Sequence, residues 1–252
     1  MTLLIDADHL IHSACCACEV DIRWDEWINT LHLEIADVKD LIGGRVANWQ
    51  QLTGHSDVVM CFSDYPTFRH DLVPEYKANR IGKRKPLGMR DVRRWVQDDY
   101  PSRSCRGLEA DDTMGLLSTG RVYPDPIIVS VDKDMRTIPG QLLQADEVET
   151  IHPAQALRSW MTQTLTGDNT DNYPGIKGVG PVKAGQILGE AGTLPEMWDK
   201  VVAAYQKAGL GMKQALSNAR MARILRAGDY DFRTGEVRLW DPDRDPAMKA
   251  NG

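Results

Sequence analysis

The sequence predicts an α/β fold with a doubly wound, mainly parallel sheet, followed by a smaller helical region. Three observations predict it. Short apolar runs alternate with segments of helical periodicity, the pattern of strand–helix–strand units around a parallel sheet. Three of those runs close on an aspartate: Asp6, Asp64 and Asp132. Beyond about residue 159 the strand pattern stops, and helical segments punctuated by Gly and Pro take over.

The elements follow in order. TLLID, Thr2 to Asp6, is a short apolar run suited to a buried strand. Trp27, Ile28, Leu31, Ile35, Val38, Ile42 and Trp49 recur at helical spacing, which predicts one long amphipathic helix over residues 26–52. DVVMCFSD, Asp57 to Asp64, reads as the second strand. Between Arg69 and Arg106 lies a basic arm with eleven Lys/Arg against five Asp/Glu, helical in part around residues 89–99. Glu109 to Thr119 reads as a helix whose acidic first turn suits the helix dipole. DPIIVSVDKD, Asp125 to Asp134, gives a third strand. Residues 197–207 and 212–226 are predicted helices, the second stopped by Gly228, and EVRLW (236–240) is a short strand returning to the body. In open α/β sheets ligands bind outside the carboxyl ends of the strands, so a parallel sheet brings Asp6, Asp64 and Asp132 to one edge. A lone aspartate at such a position is more often a loop or cap residue.

Composition narrows the function. The chain has 252 residues, 42% hydrophobic and 26% charged, as in ordinary globular proteins. It has no run of about 18 apolar residues and no basic segment ahead of an N-terminal apolar one, which predicts a cytoplasmic protein without a membrane span or signal peptide. Five cysteines, an odd number, fit reduced thiols. His9, His12, Cys15, Cys16 and Cys18 raise a zinc reading, but zinc sites pair two separated ligand clusters and no second cluster follows, so small apolar packing in a helix is preferred. The net charge of −6 argues against a passive nucleic-acid binder. Acids in separate clusters beside one basic arm suit an enzyme that holds metal ions and receives a polyanion.

The clusters carry the chemistry. Hard divalent cations take carboxylates, waters and substrate phosphate, and two such ions together can activate a water and stabilise the leaving oxygen of a phosphodiester. GLEADDTMG places Glu109 and Asp112 three apart, with Asp111 offset from them. SVDKDM places Asp132 and Asp134 two apart, and GDNTDN places Asp168 and Asp171 three apart. In EYKANR, Lys77 and Arg80 are spaced to meet one phosphate and Tyr76 is a candidate for stacking on a base. Lys83, Arg84 and Lys85 continue the basic face. GIKGVGPVKA reads as a tight glycine turn entering a helix, where backbone N–H groups favour a phosphate. It is neither a Walker A loop nor G-x-G-x-x-G. With Lys177, Gly178, Gly180 and Lys183 it resembles the hairpin of helix-hairpin-helix DNA-binding elements.

The order DAD, FSD, YKANR, EADD, DKD and GDNTDN followed by GIKGVGPVKA resembles the 5′-nuclease (flap endonuclease) superfamily, and within it the podophage 5′→3′ exonucleases, with MARILRAGDYDF adding to the likeness. The resemblance covers about residues 3–240. It implies a PIN-like catalytic domain over residues 1–158, whose arm at 69–106 forms a short helical arch. It implies a helix-three-turn-helix DNA-binding region over 159–228 and a return segment over 229–252. It implies two Mg²⁺ or Mn²⁺ ions. Asp6, Asp64, Glu109 and Asp111 would serve the first; Asp132, Asp134 and Asp168 the second; Asp112 and Asp171 would help, and Asp8 would stand behind them. Lys77 and Arg80 would hold the scissile phosphate, and residues 175–183 would grip the duplex, with a K⁺ ion at the turn. The implied activity is 5′→3′ exonuclease action on duplex DNA with a 5′ end, nick or flap, with possible flap cutting and RNase H-like action on RNA–DNA hybrids, by a monomer, in the host cytoplasm if phage-encoded. Asp64 and Glu109 are only 45 positions apart, short for a complete arch, which favours action at a duplex end over strict flap cutting. Three other readings stay open. DADHL also resembles the D-x-D of haloacid-dehalogenase-type phosphatases, with Asp6 as nucleophile and Asp8 as acid; the others are a PIN-type ribonuclease and a DNA-binding protein with a degenerate site.

Overall fold

The structure, a computed structural model, describes residues 2–249. The last three residues of the predicted return segment therefore lie outside the described residues. The first apolar run forms β1 (Thr2–Asp6), the second β4 (Asp57–Phe62) and the third β6 (Ile127–Val129). Together with β5 (Ser102–Ser104), β7 (Gly140–Gln144) and β8 (Glu147–Ile151) they make a six-stranded sheet in the order β5-β4-β1-β6-β7-β8. Every neighbouring pair is parallel except the β7–β8 hairpin. The fold is thus mixed α/β with a mainly parallel sheet, as the sequence predicts.

Both faces of the sheet are covered, which is why its central strands read as unbroken apolar runs. Leu3, Ile5, Met60, Phe62 and Val129 pack beneath α1 (Ala7–Cys18), α2 (Ile35–Thr53) and α4 (Met89–Asp99), the short α3 (Phe68–Leu72) coming between the last two in the chain. Leu4, Val59, Cys61 and Ile128 alternate to the other side, against α5 (Ala110–Thr119) and α6 (Pro153–Thr166). Cys15 packs in the first of these layers as a small apolar residue, whereas Cys16 is exposed beside His12.

The helix expected over 26–52 begins only at Ile35. Ahead of it stands a hairpin of β2 (Val20–Arg23) and β3 (Asn29–His32). Asp25 decides this locally: its carboxylate accepts the N–H groups of Trp27 (2.7 Å) and Ile28 (2.8 Å), and the Trp24 N–H closes the loop on the Ile28 carbonyl. Such side-chain-to-backbone bonds offer the chain a turn in place of a helix. Trp27 is 85% exposed, and Ile28 and Leu31 are exposed with it, so the apolar helix face starts only at Ile35, with Val38 and Ile42 in the core.

The predicted boundary at 158/159 runs through α6. This helix packs on the turn Lys133–Thr137 and also on α7 (Pro181–Leu188), α8 (Leu194–Lys207) and α9 (Gly211–Ala222). Trp160, Leu165, Trp198, Tyr205 and Ala219 form the helical core. The final segment does not rejoin the sheet. Glu236–Val237 pairs only with Tyr230–Asp231, and Trp240 inserts edge-on between Trp160 and Trp198, with ring centroids 5.0 and 4.8 Å away.

Candidate active site

The parallel strands bring the expected edge together. β1 ends at Asp6, whose carboxylate caps α1 by accepting the His9 N–H at 3.0 Å. Three residues beyond β6, Asp132 caps the turn Lys133–Thr137 in the same manner, on the Asp134 N–H at 2.8 Å. Glu109 is the N-cap of α5, and Asp111 lies in its first turn. These four acids line one cleft of about 930 Å³, with Asp8, Asp171, Lys77 and Arg80 around it and residues 85–91 and Arg93 of the basic arm along its rim.

Crowding of carboxylates shows in their proton affinities. Burial, with Asp8 and Asp132 adding to it, pushes the Asp6 carboxyl up to about 7 against the pull of the His9 N–H. Burial raises Asp111 well above the usual carboxylate range, and Asp6, Asp132 and Glu109 add to it. The Asp111 Oδ1 atom is buried without a hydrogen-bond partner. Glu109 goes the other way: burial would raise it, but Arg69 and Lys77 together hold it low.

Lys77 stands in a left-handed backbone conformation (φ 56°) that turns its ammonium onto Glu109, with Asp171 3.6 Å away. Arg80 pairs with the other oxygen of Asp171. The arm segment is tied to the 169–172 turn by its backbone too: the Lys77 N–H donates to the Asp171 carbonyl at 3.0 Å, and Asn172 donates to the Glu75 carbonyl at 2.7 Å. That turn exists because the chain doubles back at two glycines. A Cβ on Gly167 would lie 2.1 Å from the Gly175 nitrogen, and one on Gly175 would lie 2.2 Å from the Thr166 carbonyl carbon.

A second group of acids adjoins the cleft. Burial, Asp132 and Asp168 push Asp134 up to about 7, partly offset by a 2.5 Å bond from Gln163. Asp168 is held low despite its burial, because the Lys133 ammonium at 3.2 Å and the N–H groups of Thr170 and Asp171 favour its charge. Among the described residues, no three His, Cys, Asp or Glu side chains form a ready-made metal cage; Lys77, Arg80 and Lys133 lie against the carboxylates instead.

Several expected residues stand elsewhere. Asp64, two residues past β4, is exposed and turns its carboxylate onto the Gly107 N–H at 2.9 Å; Ser63 and Tyr65 line the cleft in its place. Asp112 is fully buried and structural. It takes Arg69 through both oxygens (2.5 and 3.0 Å) and also accepts the Leu225 N–H. Tyr76 is buried, so it offers no face to a base; its hydroxyl bridges Glu109 at 2.7 Å and Asp171 at 3.0 Å. Asp171 therefore belongs beside Glu109 rather than with Asp134 and Asp168. Arg84 is clamped to Glu19, while Lys83 and Lys85 are exposed. Lys177, Gly178, Gly180 and Lys183 lie on the surface outside the cleft, Gly178 taking the left-handed turn (φ 76°) before α7.

Four residues were not singled out from the sequence. Arg69 also donates to the carbonyls of Met221 (3.1 Å) and Arg223 (3.0 Å). Arg93 joins Asp8 (2.5 Å) to the Ser63 carbonyl (3.1 Å), while Asp8 accepts the Ser63 N–H (2.7 Å). Lys133 and Gln163 engage Asp168 and Asp134. The one legible signal was Lys133, between the aspartates of DKD.

Known proteins share this architecture. Residues 1–166 match the family model described as the 5′-3′ exonuclease, N-terminal resolvase-like domain. The chain is 29% identical to the exonuclease of Escherichia phage T7, over 95% of this chain and 93% of that protein. It is 28% identical to the exodeoxyribonuclease of Enterobacteria phage T3, over 95% and 92% respectively. A 5′-exonuclease of phage T5 solved with zinc bound shares the fold with a TM-score of 0.66 at 15% identity, over 88% of both chains. A T5 flap endonuclease pseudo-enzyme–product complex with DNA and metal ions gives 0.64 at 14% identity, over 88% of both chains.

Proposed function

Since this chain belongs to the 5′-3′ exonuclease family, we propose that it is a divalent-metal-dependent nuclease that hydrolyses phosphodiester bonds of duplex DNA from the 5′ end. The observation that carries this reading is one cleft in which Asp6, Glu109, Asp111 and Asp132 face Lys77 and Arg80. Carboxylates alone would repel a phosphate. Their mutual crowding and the orphaned Asp111 Oδ1 fit an all-oxygen site for a hard cation such as Mg²⁺ or Mn²⁺. Asp6, Glu109, Asp111 and Asp132 would hold one ion, and Asp132, Asp134 and Asp168 a second. When bound, such ions lower the proton affinity of water and stabilise an oxyanion leaving group. The metal ions present in the T5 structures support metal dependence in this fold.

The chain's own residues supply the rest. Lys77 and Arg80, held at the mouth by Asp171, would meet the phosphoryl oxygens where charge develops. Tyr76 fixes Glu109 and Asp171 relative to each other. Outside the cleft, Lys177, Gly178, Gly180 and Lys183 would take the duplex backbone, with a K⁺ ion at the turn. The DNA in the T5 flap endonuclease complex supports DNA binding in this fold. Substrates would include nicks, flaps and RNA–DNA hybrids, cut by a monomer. The phosphatase alternative loses its general acid, because both Asp8 oxygens are engaged by Ser63 and Arg93.

Duplex, nicked, flap and hybrid substrates labelled at either end, with Mg²⁺ or EDTA, test the proposal. The expected result is loss of 5′-terminal label in Mg²⁺ alone. Release from the 3′ end, or equal release in EDTA, overturns it.

A further inference from the structure

The acids assigned to the second ion already have a cation among them. Lys133 sits on the turn between Asp132 and Asp134, and its ammonium reaches Asp168 at 3.2 Å. The two partners are unequally placed. The Asp168 side chain is 7% exposed, whereas that of Lys133 is 72% exposed. Asp168 spends its other oxygen on the Thr170 and Asp171 N–H groups, so the oxygen facing Lys133 is the one left for an ion. Among the described residues, no other Lys or Arg pairs with Asp168; Lys77 and Arg80 are taken up by Glu109 and Asp171.

On the reading that Asp132, Asp134 and Asp168 hold a divalent ion, we propose that Lys133 is a built-in competitor for that ion. Its ammonium neutralises Asp168 in the metal-free protein and must be displaced when the dication enters. The geometry suits displacement. The exposed lysine stem swings into water at small cost, while Asp168 is fixed by its backbone bonds. Lys133 thereby weakens the second ion relative to the first and spaces the two affinities apart. It is a positioning residue acting through Asp168.

Titrating the metal-free full chain with Mn²⁺ alone, by calorimetry and by the electron paramagnetic resonance of free Mn²⁺, tests this without reference to turnover. Lys133→Met should tighten the weaker Mn²⁺ site by roughly two- to five-fold, the range a partly exposed ion pair supplies, and leave the tighter site unchanged. Lys133→Arg should restore the wild-type value. The gap between wild type and Lys133→Met should narrow at high salt. Asp168→Asn should abolish the same weaker site, which identifies it. Unchanged or weaker Mn²⁺ binding in Lys133→Met overturns the proposal, as does a weaker site that survives Asp168→Asn or a wild-type chain with only one site. Wild-type hydrolysis of labelled duplex, measured separately, bears on the nuclease reading alone.

Discussion

At the scale of single residues, the site separates acids that face the cleft from acids spent on the fold. Asp111 has a buried oxygen with no partner, whereas the Asp64 carboxylate closes a turn at Gly107. Asp111→Asn and Asp132→Ala should therefore lower kcat about 10²-fold or more with thermal unfolding little changed, the scale seen when a charge-stabilising group is removed. Asp64→Asn should stay within a few-fold of wild type in the same assay, and a loss like that of Asp132→Ala would return Asp64 to the site. The strand-end carboxylates were legible because a parallel sheet delivers its carboxyl ends to one edge. Asp64 was not, because the turn after β4 aims its carboxylate at the Gly107 N–H, whereas the turn after β6 leaves Asp132 lining the cleft. Tyr76 was misjudged for a related reason: its spacing from Lys77 and Arg80 says nothing about which of them faces water.

At the scale of elements, local rules decided some segments and distant contacts decided others. The acidic start of α5 was readable as a capped helix, but its two roles were not. Glu109 lines the cleft, while Asp112 is fully buried outside it, and Arg69 pairs with both. Arg69 joins residues more than a hundred positions away, which no local pattern encodes. Removing one member of such a buried pair leaves the other charge uncompensated, so Arg69→Ala should destabilise by about 3–5 kcal/mol. A denaturant melt reads this directly. The β2–β3 hairpin was lost to a helical spacing shared by Trp27, Ile28 and Leu31, because apolar periodicity does not report the Asp25 turn beneath it. The glycine turn before α7 was read correctly as a turn, and its exposed Lys183 makes a separate prediction. Lys183→Ala should weaken duplex binding across sequences and reduce the salt slope by about one, with turnover at saturating DNA preserved.

For the whole molecule, the layered sheet was legible from its apolar runs, while the joining of its two parts was not, because the predicted boundary fell within α6. Charge links the parts to pH. Asp6 and Asp134, both raised to about 7, bind more protons folded than unfolded between about pH 4 and 7. Their contribution to stability is present at the low end of that window and is lost as pH rises through it. Glu109 and Asp168, held low, contribute above the unfolded carboxylate value and lose that only as pH falls below about 4. The His9 imidazole, lowered chiefly by burial, works against the first trend near pH 6. A bound dication favours the ionised acids. The rise in Tm on adding Mg²⁺ should therefore be larger at pH 8 than at pH 5, and scanning calorimetry at the two values checks it. An equal rise at both would show that Asp6 and Asp134 are not among the ligands.

The Arg69–Asp112 pair has one more consequence, for how the protein can be divided. Arg69 comes from the arm and Asp112 from α5, yet three of their further bonds go to Met221, Arg223 and Leu225 near the end of the helical region. A fragment cut after residue 166, where the family match ends, would keep both charges and lose those anchors. Sequence inheritance and physical autonomy thus part company here. The family-matched N-terminal stretch should not survive as a free-standing folding unit, and the carboxylate cleft and the helical region should melt in a single cooperative transition.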